Sequence, residues 1–163
     1  MMRYGFTMAK LGLLIAALDT AHWELGEGFK GLPDEDVWKR PHPRLLSVGE
    51  LASHIAYWED INATGGTSDS PFLKEYARYY TSAVDAPLVM EFGAEALYRE
   101  VERVHEVAKA ALVSLDPDGD DPNPYRKGWS WRQAVEYTAF HVAYHTGQIY
   151  SVRHLLGHET TDN

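Results

Sequence analysis

The sequence predicts an all-α protein built as a four-helix bundle. Three observations carry that expectation: four long segments whose apolar residues recur at helical spacing, a scarcity of alternating strand patterns, and helix-start and helix-stop residues at the segment ends. At 163 residues, the chain has the length of one domain with a sizeable core, and 1–163 reads as a single bundle without repeats or a linker.

The first segment runs from about Met8 to Lys30. Leu11, Leu14, Ile15, Leu18, Ala21, Leu25 and Phe29 form its stripe, and Gly31 with Pro33 just beyond terminates it. The run "LGLLIAAL" at 11–18, following Arg3 and Lys10, superficially resembles a signal peptide, but the stripe continues past Asp19 and Glu24, which such a peptide would not do. The second segment opens at Ser47-Val48-Gly49-Glu50, a capping box, and ends near Gly65 and Gly66. The third, from about Ala94 to Leu115, places Leu97, Val101, Val104, Ala108, Leu112 and Leu115 on one face and closes at Asp116-Pro117. The fourth opens with a second capping box, Ser130-Trp131-Arg132-Gln133, and ends at Gly157.

Between the second and third segments, Ser70-Pro71 opens a short extra helix within an insertion at 67–87 that carries Tyr76, Tyr79 and Tyr80. The loop "DPDGDDPNP" at 116–124 is rich in turn residues. Its aspartates do not have the spacing of a calcium loop, which needs a glutamate at the twelfth position.

Composition narrows the chemistry. With no cysteine, the chain has no disulfide, thiolate metal site or cysteine nucleophile, so a transition-metal site must come from His, Asp and Glu, and there are eight histidines. The net charge of −9, from 24 acidic and 15 basic residues, comes without a basic stripe that could track phosphates, so nucleic acid is not an expected partner. No run has membrane-spanning length, and the expectation is a soluble, cytoplasmic protein without a membrane partner.

The stretch "FHVAYHTGQIYSV" at 140–152 holds the sharpest chemical signal. His141 and His145 fall within the apolar arc of Ala134, Val135, Thr138, Val142, Ile149, Val152 and Leu156, and residues four apart on a helix stack on one face, ~5–6 Å between Cβ atoms. Two imidazoles there either find separate polar niches or grip one metal ion with a third ligand, for which His54 in "GELASHIAYWED" is the candidate. The glutamate of an HExxH protease is missing, since Val142-Ala143-Tyr144 separates the two histidines. Three buried polar groups would each cost roughly 1–3 kcal/mol unpaired, and one ion would satisfy them together. His22 lies beside the first stripe and reads as structural or partly exposed, whereas His42, His105, His154 and His158 read as loop or solvent-face residues. No general base stands out: Glu50 is committed to its cap, and Glu59 and Asp60 read as solvent-facing. Trp129 and Trp131 read as rings packed against the bundle end.

"ELASHIAYWE", followed some eighty residues later by "AFHVAYHTGQI", resembles the DinB-like (damage-inducible) superfamily, whose members carry an H…HxxxHxGQ pattern. The resemblance spans nearly the whole chain and implies a four-helix bundle of that type, with the insertion at 67–87 as a departure. It places the metal ligands on His54, His141 and His145, with water or substrate completing the shell. The implied ion is a divalent zinc, nickel, iron or manganese. The implied activity is a thiol-dependent transfer or isomerisation using mycothiol, bacillithiol or glutathione, which suits a chain with no cysteine of its own. It also implies a small-molecule substrate and a homodimer paired through helices. A metal-dependent hydrolase and a non-catalytic, stress-related metal-binding scaffold are the alternatives. Within the same pattern, Gly147 reads as a close helix contact, because glycine inside a helix costs about 1 kcal/mol against alanine. Gln148 reads either as an ordinary interhelical hydrogen bond or as a group that holds a ligand or a metal-bound water.

Overall fold

The computed structural model describes residues 9–70, 74 and 86–161. Four α-helices, α1 (Gly12–Phe29), α2 (Val48–Thr64), α3 (Ala94–Leu115) and α4 (Trp131–Leu155), make up the bundle, with a 3-10 turn at Asp34–Asp36. Around the bundle α1 packs on α4, α4 on α2, and α2 on α3; α3 meets α1 only lightly. No strand forms among the described residues beyond an isolated bridge between Pro122 and Ser130. No described helix is long and apolar enough to cross a membrane.

The helix boundaries follow the capping chemistry. Ser47 Oγ accepts from Glu50 N at 3.2 Å while Ser47 N donates to Glu50 Oε2 at 2.7 Å, and Ser130 and Gln133 repeat the exchange at 3.3 and 2.9 Å. Glu50 does more than cap. Buried beneath the connection to α3, it takes Arg40 Nε at 2.8 Å and the Leu88 amide at 2.9 Å, so one carboxylate ties three separate segments together. At the other end of α1, Gly31 turns the chain out at φ +67°, and the buried Arg153 guanidinium of α4 donates to the carbonyls of Gly28 and Lys30, both at 2.9 Å. Carbonyls that helix geometry leaves without partners are thereby satisfied from a neighbouring helix.

The core is the sum of the stripes. Leu18, Leu25, Leu51, Ile55, Leu97, Val104, Val142 and Ile149 are all essentially inaccessible, and truncating any such leucine to alanine should cost about 2–5 kcal/mol. Where α3 leans away from α1 a cleft of about 1010 Å³ opens, bordered by Trp23, Tyr98, His22 and His105. The short helix expected after Ser70-Pro71, with Tyr76, Tyr79 and Tyr80, lies outside the described residues. So does Met8, the expected start of α1.

Candidate metal centre

Helix α2 contributes His54 and helix α4 contributes His141 and His145, and packing of the two helices brings their Nε2 atoms together. His141 Nε2 lies 2.9 Å from His54 Nε2 and 3.1 Å from His145 Nε2. His141 is buried and the other two are half-buried, so the cluster sits at the edge of the core with one side toward solvent. The donor atoms of all three lie within 4.8 Å of one another, a spacing that can hold one ion.

Protons alone fit this arrangement poorly. His145 Nδ1 is 2.6 Å from Gln148 Oε1, an acceptor, which places the proton on Nδ1 and leaves Nε2 as a bare lone pair. His141 Nε2 is shared by both short contacts, and an imidazole nitrogen carries either a proton or a lone pair, never both. The best that protons can do is one N–H split between two acceptors. A cation at the focus uses all three lone pairs, and the observed separations approach the ligand-to-ligand edge of about 3.3 Å that follows from tetrahedral zinc with Zn–N bonds of ~2.0–2.1 Å.

Electrostatics point the same way. Burial, reinforced by the His145 imidazole, pushes His54 down to about 4. Burial, with His145, His54 and the Arg126 guanidinium adding to it, pushes His141 down to about 3, against a small opposing pull from Glu59. Burial also lowers His145, with its Gln148 hydrogen bond opposing. At neutral pH the histidines are neutral imidazoles, the form that binds metal.

The surroundings are aromatic. Tyr137 stacks on His141 with ring centroids 5.6 Å apart, and Tyr144 meets His145 edge-on at 5.0 Å. Tyr137, Phe140 and Tyr144 succeed one another on the exposed side of α4 and give the approach an apolar wall. Opposite, Trp58 and Trp129 bracket the guanidinium of Arg126.

Several expectations need correction. Glu59 and Asp60 do not face solvent: Glu59 is 1% and Asp60 4% exposed. Glu59 Oε2 takes His22 Nε2 at 2.6 Å and its Oε1 takes His105 Nδ1 at 2.7 Å, while the two imidazoles stack at 3.8 Å. His105 is therefore a buried residue, because the third helix's stripe is wide enough to take it in beside Val104 and Ala108. His22 is buried too, in a structural role. Asp60 takes Ser68 Oγ at 2.6 Å and closes the turn after α2. Gly147 is not a close packing contact: a methyl group added there would meet no atom of another helix within 4 Å among the described residues. Among the described residues Gln148 bonds only within its own helix and holds His145, two positions whose i, i+3 spacing was the available signal. Arg126, which sequence reasoning passed over, enters from the connection just after the turn-rich loop, where nothing in composition marks it.

The sequence profile of the DinB superfamily matches residues 17–149. A crystal structure of a conserved protein from Enterococcus faecalis shares the fold, with a TM-score of 0.55 at 16% identity over 91% of this chain and 98% of that one. Among curated proteins none matches the chain.

Proposed function

The chain belongs to the DinB superfamily, and from that premise we propose that it is a divalent-metal-dependent enzyme that uses a low-molecular-weight thiol, with the ion held by His54, His141 and His145. The observation that carries the reading is the convergence of three imidazole Nε2 atoms, with neighbours at 2.9 and 3.1 Å, at an edge of the core where His54 and His145 are half-buried. Three protein ligands with a further position open to solvent are the hallmark of catalytic rather than structural sites.

When bound, the ion would supply positive charge that favours a thiolate over a thiol. The protein's own residues have the remaining tasks. Gln148 fixes the tautomer and ring plane of His145, so that a lone pair points inward. Burial keeps His54 and His141 unprotonated at neutral pH. Tyr137, Phe140 and Tyr144 give an apolar second reactant a surface beside the centre. The absence of cysteine means that no internal thiolate competes for the open position.

A hydrolase would need a base poised beside a metal-bound water. The neighbouring carboxylate on the same helix, Glu59, has both oxygens committed to imidazoles, so the thiol reading is preferred. The test is direct. Protein purified without an affinity tag should contain one divalent ion per chain by mass spectrometry. After cobalt substitution, titration with mycothiol, bacillithiol or glutathione should give a sulfur-to-metal charge-transfer band. A stoichiometric ion with no response to any of the three thiols, but with a response to esters or small carboxylates, would replace this reading by the hydrolase one.

A further inference from the structure

We propose that Arg126 forms a carboxylate-binding position beside the three-histidine centre, and that the second reactant is therefore an anion with an apolar or aromatic body. The inference rests on the reading of that centre as the reaction site.

The guanidinium is built into place. Residues 123–129 form a closed loop: the Asn123 amide donates to the Trp129 carbonyl at 2.8 Å, the Trp129 amide to the Arg126 carbonyl at 3.1 Å, and Gly128 takes the positive φ of +82° that lets the chain return. Arg126 stands within that loop and folds back over its own aromatic residue, with Cζ 4.1 Å from the Trp129 ring centroid, 5.1 Å from Trp58 and 5.2 Å from Tyr137. Three rings around one cation fix its plane at low entropic cost.

One hydrogen bond sets its rotation. Arg126 Nη1 donates to Asn62 Oδ1 at 2.9 Å, and that oxygen faces it because Asn62 Nδ2 is occupied by Thr138 Oγ1 at 3.0 Å. Thr138 Oγ1 in turn donates to the Ala134 carbonyl at 2.7 Å, and Asn123 Nδ2 fastens the Asn62 carbonyl at 2.9 Å. This chain of bonds is far more than a solvent-exposed arginine needs, and none of it neutralises the charge. Among the described residues no carboxylate pairs with Arg126, although the protein carries 24 acidic residues and pairs arginines 40, 99, 103 and 132 with them.

The location gives the charge its purpose. Tyr137 touches both the guanidinium and the His141 ring. A planar oxyanion on the remaining N–H groups would lie one ring's width from the centre, its apolar body against Tyr137 and Phe140. Guanidinium is the group whose fork of donors matches a carboxylate.

The experiment uses benzoate and its neutral counterpart benzamide as probes on the full-length, cobalt-loaded protein. Binding is read from the cobalt spectrum and from the Arg126 Nε–H resonance. Benzoate should shift that resonance, and Arg126→Gln should weaken benzoate binding at least tenfold. Arg126→Lys should give an intermediate loss, benzamide should bind all three proteins alike, and cobalt content should stay the same. Equal benzoate affinity in the wild type and Arg126→Gln, or equal losses for benzoate and benzamide, would overturn the proposal and leave the arginine a packing residue. The resonance shift is measured on metal-free protein as well, so loss of the metal reading and loss of the anion site give different results. A wild-type resonance that benzoate does not move refutes the anion site even should Arg126→Gln fail to fold.

Discussion

Two histidine clusters share helix α2, and they solve the problem of burying imidazoles in opposite ways. At Glu59 a fully buried carboxylate accepts from His22 and His105, and Asp19 takes the far nitrogen of His105 at 2.9 Å, with Lys109 3.0 Å from the same oxygen. One turn and a half earlier on the same helix, His54 faces two more imidazoles with no carboxylate between them. Burial alone would raise Glu59, but the histidines outweigh it and hold it well below the usual carboxylate range; His105 is raised by its Glu59 hydrogen bond against the downward pull of burial. At the other cluster, burial pushes the histidines down against only the opposing pulls of Glu59 on His141 and Gln148 on His145. The donor atoms of His22, Glu59 and His105 also lie within 4.8 Å of one another, so proximity does not separate the two. Ring geometry does. Imidazoles stacked at 3.8 Å with an 18° interplanar angle cannot both aim an in-plane lone pair at one ion, whereas His141 and His145 meet at 79°. In the first cluster every nitrogen but His22 Nδ1 has a hydrogen-bond partner and a carboxylate stands between the rings, whereas the second has room for a cation.

The largest test of that contrast is removal of Glu59. Glu59→Ala leaves the two stacked imidazoles of His22 and His105 without their common partner, and breaking a buried pair in this way should cost about 3–5 kcal/mol. Chemical denaturation should show that loss, and metal content per folded chain should be unchanged. A variant that folds with wild-type stability would contradict the structural assignment of the first cluster.

His141→Ala should do the reverse. It removes the nitrogen shared by both short contacts, and metal affinity should fall more than a hundredfold by competition with a chromophoric chelator, while the metal-free protein unfolds within about 1–2 kcal/mol of the parent, because only one half-satisfied imidazole and its packing are lost. Full retention of metal in this variant would refute the proposed centre. A smaller effect is expected one step out: Gln148→Leu frees the His145 ring to rotate and should weaken metal binding about 10–100-fold without abolishing it.

The four helices were legible because their signals are local. Each capping box lies within four consecutive residues, and each stripe repeats on its own helix, so nothing beyond the segment had to be known. His54, His141 and His145 could be assembled because two of them share a helix face, the second helix offered a third beside its own stripe, and the family pattern matched all three. The Glu59 cluster could not be read in this way. Its members come singly from three helices, no two share a repeat, and a lone Glu or His at a stripe's edge is indistinguishable from a solvated one until the partner helices are in place. Arg126 hid for a related reason: its role depends on a loop closing over the end of α2, and the turn residues that close it advertise flexibility rather than a site.

The most discriminating test separates the clusters by pH in metal-free protein. His54 and His141 fall from an ordinary value of 6.5 to about 4 and about 3, so between pH 6.5 and about 4 the unfolded chain binds protons that the folded chain refuses. Stability must then rise with pH across that interval, by at most about 1.4 kcal/mol per pH unit for each group. The other cluster contributes with different limits. His105 is raised, so its stabilisation is fully present below 6.5 and is lost only as the pH climbs through its folded value. Glu59 is lowered, so its stabilisation is present above 4.5 and is lost only as the pH falls through its folded value. Near pH 5.5, about one unit from both 4.5 and 6.5, unfolded Glu59 is mostly ionised and unfolded His105 mostly protonated, as in the folded state, and the slope of their contribution is shallow there. Urea denaturation in the presence of a chelator around that pH should therefore show stability falling toward acid in the parent. A His54→Gln/His141→Gln double variant should show a distinctly shallower dependence, and an equal slope in both proteins would mean that the depressed imidazoles do not control it.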